Sequence, residues 1–350
     1  MNFQDILAAI AVVMNGLPQG LLALTYGFAA FPTAIAFGVG IIGMVAFNQI
    51  APISFQAESI VLAGKLGDNR QERLNIVFFT GIVMTIIGVL GLLEPTIQFI
   101  GPAILQGMMA GVGITLCKVS IDMIKSNKMV GGTSLAIALL SYFISKDLVM
   151  TIVFCVFGSA LLDNIINKNN VSNQVTDLKN EKFSLLKIKL TKKIIRNTLA
   201  LVTLQIGGNI AYGSITGELA KTKVNVDFIT IYSGIGDSVS ALFGGGPVEA
   251  IISGTAVAPN PKMSGIIMML ILMVVLLLKI LPRIAKYIKN ETICGFLFIL
   301  GAVIVFPSNI FAAVQADPAI AGVTSLVTAL VDPFIGMLAG LVVKFILMIF

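Results

Sequence analysis

Residues 51–61 read APISFQAESIV, and residues 244–252 read GGGPVEAII. Both stretches are short, interrupted apolar segments, and each carries one glutamate, Glu58 or Glu249. Proline and clustered glycines disfavour a continuous helix, and such backbone survives at membrane depth only where it lines a cavity or is buried in protein. A matching pair of interrupted segments in the two halves of a chain indicates a transporter's binding site. We therefore expect a membrane transporter whose site is built around these two stretches.

The rest of the chain indicates a membrane environment. Of its 350 residues, 57% are hydrophobic and only 11% are charged, whereas soluble domains have roughly 25% charged residues. The mean hydropathy is +0.99. Apolar runs of about 17–25 residues, the length of helix that crosses a ~30 Å hydrocarbon core, recur almost from end to end. They predict an all-α polytopic membrane protein of about fourteen spans, near residues 5–28, 31–48, 52–64, 74–93, 100–117, 130–145, 148–166, 197–217, 226–243, 246–258, 264–280, 291–306, 310–330 and 332–350.

The spans divide into two halves around a polar, lysine-rich connector at residues 167–196. The first seven-span repeat covers residues 1–166 and the second covers 197–350. Residues 56–61 match 247–252, which aligns Glu58 with Glu249, and residues 102–114 match 291–304 further on. Because each half has an odd number of spans, the second half enters the membrane from the opposite side. The sequence thus predicts inverted repeats with short, broken spans 3 and 10.

Composition also excludes several classes of function. The sequence has no histidine, which excludes histidine metal sites, serine–histidine catalysis and imidazole proton relays. Its three cysteines are widely spaced in apolar segments and suggest neither disulfides nor a zinc site. The net charge of +6 comes from residues in loops beside the spans, where they set topology, so no nucleic-acid partner is expected. We expect no enzyme activity, no cofactor and no metal, and a multi-pass protein of the plasma membrane, such as a bacterial inner membrane.

Three acidic residues lie within hydrophobic stretches: Glu58, Glu249 and Asp237. A charged side chain at mid-membrane costs roughly 3 kcal/mol or more, so it persists only beside a cavity or a partner. Glu58 and Glu249 are therefore expected to line the pathway, with a structural hydrogen bond as the alternative, and Asp237 could equally cap or pack its helix. All three are candidates for binding a proton or another coupling ion. The candidate substrate-binding residues are Glu58, Glu249, Gln56, Gln205, Asn209 and Ser253.

Two of these polar residues share a helical face, since Gln205 and Asn209 are separated by one turn. Polar side chains of this kind can bind a polar planar substrate or can join neighbouring helices. The helices that resume after the two breaks would direct their positive N-terminal ends at the membrane midplane.

The order of these features resembles the nucleobase/ascorbate transporter family, the uracil and xanthine permeases. The resemblance is carried by Pro32-Thr33-Ala34, by Gly101-Pro102-Ala103, by residues 234–247 and by Gln205-Ile206-Gly207-Gly208-Asn209. It implies a core domain of spans 1–4 and 8–11, a gate domain of spans 5–7 and 12–14, and a substrate held between spans 3 and 10. It also implies proton- or sodium-coupled uptake of a nucleobase-like molecule, and gate domains that could pack into a homodimer.

The chain departs from that family at two positions, because Gln205 and Ser253 stand where the family has carboxylates. Sulfate-permease-type anion transporters share the fold, so an anion or another small solute is the alternative substrate. An intramembrane transferase is disfavoured, because the chain has no aspartate-rich diphosphate motif. The basic loops after spans 3, 5, 7 and 11 should be cytoplasmic, whereas the family's topology would put them outside, so the sequence leaves the orientation open.

Overall fold

The computed structural model describes residues 2–166, 182–285 and 289–349. Helices make up 81% of it, so the expected all-α polytopic fold is confirmed. The α-helices are α1 (Phe3–Thr25), α2 (Ala30–Ala46), α3 (Ala57–Leu66), α4 (Arg70–Val89), α5 (Leu93–Ile100), α6 (Pro102–Ser126), α7 (Lys128–Ser145), α8 (Leu148–Ile166), α9 (Lys192–Leu219), α10 (Val226–Leu242), α11 (Pro261–Leu277), α12 (Ile280–Ala285), α13 (Cys294–Phe298), α14 (Phe306–Ala316), α15 (Pro318–Leu330) and α16 (Pro333–Ile349).

Within the described ranges, five helical stretches are long and apolar enough to cross a membrane. They are Phe3–Thr25, Arg70–Val89, Pro102–Ser126, Lys128–Ser145 and Glu291–Ala316. Shorter apolar helices, among them α2, α11, α15 and α16, stand beside them. Their outward faces carry many exposed leucine, isoleucine and phenylalanine side chains, which is the surface that a lipid environment favours.

Two strands of two residues each, β1 (Ile53–Ser54) and β2 (Glu249–Ala250), form an antiparallel pair that is buried among the helices. Ile53 faces Ala250 and Ser54 faces Glu249. A two-fold axis perpendicular to this strand pair exchanges facing residues, so continuing along both chains it relates Glu58 to Ser253 or Thr255 and not to Glu249. The sequence alignment of Glu58 with Glu249 is wrong in register, because the second glutamate lies in the strand itself and the first lies in the helix that follows.

The backbone is interrupted at both predicted places, but the two breaks differ. After β1 the chain forms a regular helix, α3, which begins at Ala57. After β2 it forms only one 3-10 turn, Gly254–Val257. The expectation of a second helix N-terminus at the midplane is therefore wrong. The approach to β2 requires glycine, since Gly244 has a φ of +99° and a Cβ on Gly245 would lie 2.3 Å from Ser240 Oγ.

The boundary predicted between spans 12 and 13 is also wrong. The helix does not stop near residue 306: it begins as a 3-10 turn at Asn290–Ile293, continues through α13 and a π-helical segment, Ile299–Val305, and ends with α14 at Ala316. Pro307 is tolerated because it lies in the first turn of α14, directly after the π-helical segment, where neighbouring backbone already departs from regular α geometry. The break falls instead at Asp317, whose side chain caps α15.

The helices pack in two sets. In the first, which we call the strand-bearing bundle, α10 packs on α4 and α2, α9 packs on α4, α11 packs on α1 and α2, and β1 and β2 lie inside. In the second bundle, α6 packs on α14 and α15, α7 on α8, and α15 on α16. The connector, predicted at residues 167–196, ends earlier than predicted, because α9 already begins at Lys192. Its residues 167–181 lie outside the described part of the chain.

Most of the basic side chains gather at one end of the helices, which we call the basic end. Arg70 donates to the carbonyl of Gly244 at 3.1 Å, Lys193 pairs with Asp68 and Glu72, and Arg196 pairs with Asp332. At the opposite end, Lys262 donates to the side chain of Asn48 at 2.8 Å, and the N–H of Asn260 donates to the carboxylate of Asp5 at 2.8 Å.

Candidate functional site

Glu58 lies at the start of α3, where the chain resumes as helix after β1. Its side chain is 4% exposed, and the phenol of Tyr212 on α9 lies 3.3 Å from its Oε1. Its Oε2 is buried without a hydrogen-bond partner among the described residues. Gln56, directly before α3, donates to the carbonyl of Ala250 at 3.1 Å and so joins α3 to the second strand.

Glu249 is buried in β2 at 2% exposure. Ser59, in the first turn of α3, donates to its Oε1 at 2.5 Å. The other oxygen faces α9, where a Cβ added to Gly208 would lie 3.3 Å from it. A larger side chain at position 208 would therefore crowd this carboxylate. The two glutamates thus face the same short stretch of α9, which carries Gly208 and Tyr212.

Asp237 on α10 is fully buried and has partners for both oxygens. Gln205 donates to one at 2.7 Å, and the backbone N–H of Val248 donates to the other at 2.6 Å. The carboxylate therefore holds α9, α10 and the approach to β2 together, and does not line the cavity described below.

Two other predicted site residues also make structural contacts. Asn209 donates to Thr230 and Ser233 at 3.2 Å each and accepts from the N–H of Ala250 at 3.1 Å. The hydroxyl of Ser253 accepts from the N–H of Thr255 and lies 2.7 Å from the hydroxyl of Thr255, so Ser253 caps the 3-10 turn. The structure thus brings Glu58, Glu249 and Gln56 together at the crossing, while Gln205, Asn209 and Ser253 fasten the backbone around it.

A cavity of about 330 Å³ opens beside the first turn of α3, between the two bundles. One wall comes from the strand-bearing bundle and the other from α6, α8, α13, the π-helical segment and α14. Its polar lining residues are Asn15, Gln19, Gln56, Glu58, Gln106, Tyr212, Ser308 and Asn309, and its apolar lining includes Met109, Ile215, Ile251, Phe296 and Leu300.

A second cavity, of about 240 Å³, lies on the other side of Glu58. It runs between α3, α6 and the α15–α16 turn, and Lys65, Lys118 and Asp332 stand in its wall. Those residues belong to the basic end. Glu58 is therefore the residue at which a cavity between the bundles meets a cavity that leads to one end of the protein.

The first cavity and the crossing beside it are rich in hydrogen-bond acceptors without partners. Asn15 Oδ1, Gln19 Oε1, Glu58 Oε2 and Glu249 Oε2 are buried and accept no hydrogen bond within the described residues. A buried unpaired polar atom costs about 1–3 kcal/mol, so such a group of acceptors is suited to a donor or a cation. A carboxylate pair of this kind cannot stay doubly ionised beside a bound anion without a neutralising partner.

The sequence reading did not single out Ser59, Gln106, Ser308 or Asn309. Ser59 directly follows Glu58, and the strand register explains its contact with Glu249, which spacing alone does not reveal. Gln106 is a polar residue within apolar span 5, and that is the signal that could have found it. Ser308 and Asn309 fall between predicted spans 12 and 13, and they line the cavity because the helix continues to Ala316.

No protein-family model matches the chain. No curated protein matches it in sequence. The fold, with paired short strands at the centre of an inverted repeat, is that of a class of membrane transporters.

Solved structures match the chain over nearly its whole length. The transmembrane domain of the cyanobacterium bicarbonate transporter BicA has a TM-score of 0.70 at 16% identity, covering 96% of this chain and 98% of that one. The overall structure of SLC26A9 has a TM-score of 0.70 at 10% identity, covering 98% of this chain and 64% of that one. Murine Slc26a9, an anion transporter in the inward-facing state, has a TM-score of 0.68 at 12% identity, covering 99% of this chain and 68% of that one.

These matches correct the assignment made from the sequence. The proteins matched are anion transporters, which share a fold with the nucleobase transporters but form a different family. The resemblance to the uracil and xanthine permeases is therefore wrong. The resemblance rested on glycine and proline positions, and these residues indicate where the backbone of the shared fold is interrupted but do not indicate which substrate is bound.

Proposed function

We propose that the protein is a secondary transporter that carries a small anion across the membrane together with a cation. The observation that carries the proposal is the first turn of α3, which opens onto the cavity between the bundles. The side chain of Gln56, the residue before this turn, does not cap it, and the helix dipole favours negative charge there. The fold shared with a bicarbonate transporter and an anion transporter supports the same substrate class.

The size of the cavity favours a small solute. Ligand sites of about 300–1,000 Å³ are usual for drug-sized molecules, and this cavity of about 330 Å³ is at the lower limit. Gln56, Asn15 and Gln19 offer amide groups beside the helix N-terminus that could donate to an oxyanion.

The cation follows from the two glutamates. An anion beside Glu58 and Glu249 would be repelled if both carboxylates were charged, and the repulsion is strong where water is excluded. Binding of a proton or Na⁺ at this pair removes the repulsion and leaves a site for the anion. We propose that Glu58 and Glu249 bind the coupling ion and that Asp237 positions β2.

Transport would proceed by movement of one bundle against the other. We propose that the strand-bearing bundle is the core domain and the second bundle the gate domain, and that Glu58 is exposed to its two cavities in turn. Broken segments at a repeat interface are suited to such alternating access. A plasma membrane, such as a bacterial inner membrane, would supply the proton or sodium gradient.

The test uses purified protein in proteoliposomes. Uptake of labelled bicarbonate, sulfate and chloride is measured with an inward proton gradient, with an inward sodium gradient, and with neither. We expect saturable uptake of at least one anion that a cation gradient stimulates. Absence of uptake for all three anions under both gradients would overturn the proposal.

A substitution that fills the cavity locates the site. Ala211 lines the cavity, so Ala211→Trp should abolish uptake, while Ala11→Trp on the exposed face of α1 should leave it unchanged. Equal uptake by Ala211→Trp and the unchanged protein would contradict the assignment of this cavity.

A further inference from the structure

Residues 182–191 form an extended segment that lies across the basic end, and we call it the basic strap. It follows the undescribed part of the connector and leads into α9. The N–H of Ser184 donates to the carbonyl of Phe243 at 3.1 Å, and the N–H of Leu186 donates to the carbonyl of Leu242 at 2.8 Å. The strap is therefore fastened to the end of α10.

A buried asparagine fixes the second half of the strap. Asn75 on α4 is fully buried. It donates to the carbonyl of Lys187 at 3.2 Å and accepts from the N–H of Lys189 at 2.8 Å. These bonds hold the strap's backbone. Leu186 is buried in the core, and most of the strap's other side chains are exposed.

The outward face combines apolar and basic side chains. Leu185 is 73% exposed, Ile188 is 55% exposed and Leu190 is 63% exposed. Lysines 182, 187, 189 and 192 are exposed beside them, and residues 182–196 contain no acidic side chain. Exposed leucine and isoleucine interleaved with lysine are typical of segments that lie in the headgroup layer of an anionic membrane.

We propose that the basic strap is a binding surface for anionic lipid headgroups. The lysines would pair with headgroup phosphates, and Leu185, Ile188 and Leu190 would enter the boundary of the acyl chains. The position of the strap agrees with this partner, because lysine- and arginine-rich loops mark the cytoplasmic side, where the leaflet is negatively charged. Because the strap is fastened to α4 and α10, bound lipid would hold the strand-bearing bundle at that leaflet.

The absence of tryptophan from the sequence allows a direct test. A single tryptophan is introduced as Leu185→Trp, and as a control in Leu90→Trp, a 61% exposed position at the opposite end of α4. The full chain is reconstituted into vesicles that contain brominated phosphatidylglycerol or, at equal mole fraction, brominated phosphatidylcholine. We expect the tryptophan of Leu185→Trp to be quenched several-fold more strongly by the anionic lipid, and that of Leu90→Trp to be quenched equally by both.

Charge removal then tests the lysines. Leu185→Trp is combined with Lys182→Gln, Lys187→Gln, Lys189→Gln and Lys192→Gln, and its matched control carries Lys146→Gln, Lys221→Gln, Lys223→Gln and Lys262→Gln at the other end. The preference for phosphatidylglycerol should disappear in the first variant and at high salt, and should persist in the control.

Two results would overturn the proposal. If neither lipid quenches the tryptophan of Leu185→Trp, the strap lies in water or is covered by protein. If both lipids quench it equally in the protein that keeps its lysines, the strap contacts the membrane without selecting anionic lipid. Both readouts are independent of transport, so they stand apart from the function proposed above.

Discussion

Ser59 Oγ lies 2.5 Å from Glu249 Oε1, so the first turn of α3 holds the carboxylate that belongs to the other repeat's strand. Tyr212 on α9 bonds Glu58 in the same place. The two glutamates are thus joined to both repeats and to α9. A change in the protonation or cation occupancy of either one would act directly on the crossing of β1 and β2.

We first expect Ser59→Ala to weaken this crossing. Both oxygens of Glu249 would then lack partners, and leaving a buried acceptor unsatisfied costs about 1–3 kcal/mol. Thermal unfolding in detergent should show a lower midpoint, and the concentration of coupling ion that gives half-maximal transport should change. Ser264→Ala, which removes an equally buried hydroxyl bonded to the backbone of Asp5, should lower the midpoint without changing the ion dependence. The prediction fails if the two variants have the same ion dependence.

A second prediction concerns the carboxylates themselves. Glu58→Gln and Glu249→Gln keep the shape of the side chain and remove its ability to hold a proton or a cation. Accumulation driven by a cation gradient should fall by about tenfold or more, as expected for losing one interaction of about 1.4 kcal/mol. Exchange of anion across vesicles without a gradient should continue. Glu94→Gln, at an exposed position on α5, is the control, and an unchanged gradient response in both site variants would contradict the assignment of the coupling ion.

The backbone breaks were predictable from the sequence because Pro52, and the three glycines that precede Pro247, disfavour a regular helix. The span near residues 226–243 was predicted within one residue of α10 for a related reason, since a long apolar run between polar turns permits few alternatives.

The register of the repeats was not predictable in the same way. Two stretches that each contain a glutamate can be aligned by that residue, but the pairing of Ser54 with Glu249 depends on hydrogen bonds between distant parts of the chain. The roles of Asn209 and Asp237 have the same origin. Their partners, Ala250 and Val248, are polar backbone groups, which sequence patterns do not distinguish from one another.

The third prediction concerns the ion pair between the bundles. Arg196 on α9 bonds Asp332 at 2.6 Å, and the Asp332 side chain is fully buried and also caps α16 through the N–H of Ile335. If one bundle moves against the other, this pair must break or be carried along. Asp332→Asn keeps the cap and removes the charge, so it should change the transport rate while costing stability only through the lost pair.

A double-mutant cycle with Arg196→Gln and Asp332→Asn measures the pair. We expect a coupling free energy of about 1.5–3 kcal/mol, as for hydrogen bonds to charged groups. The same cycle on the exposed pair Lys125 and Asp122 should give about 0.2–1 kcal/mol. A coupling no larger at the bundle interface than at this exposed pair would show that the bridge contributes little to holding the bundles together.

The last prediction concerns the contact between α4 and α10, where backbone meets backbone. A Cβ at Gly81 would lie 2.4 Å from the carbonyl of Gly234, and a Cβ at Gly234 would lie 2.7 Å from the carbonyl of Gly81. Neither carbonyl can move without shifting its helix, so Gly81→Ala and Gly234→Ala should each reduce the free energy of unfolding by about 1–3 kcal/mol. Gly132→Ala on α7 has nothing within 4 Å of the added Cβ and should be neutral or stabilise by about 0.4–1 kcal/mol. Asp237 also lies on α10 and bonds Val248 beside β2, so displacement of α10 should disturb the crossing of β1 and β2. We therefore expect Gly81→Ala and Gly234→Ala to lose anion uptake and Gly132→Ala to keep it. Full uptake by Gly81→Ala and Gly234→Ala would mean that the crossing tolerates displacement of α10.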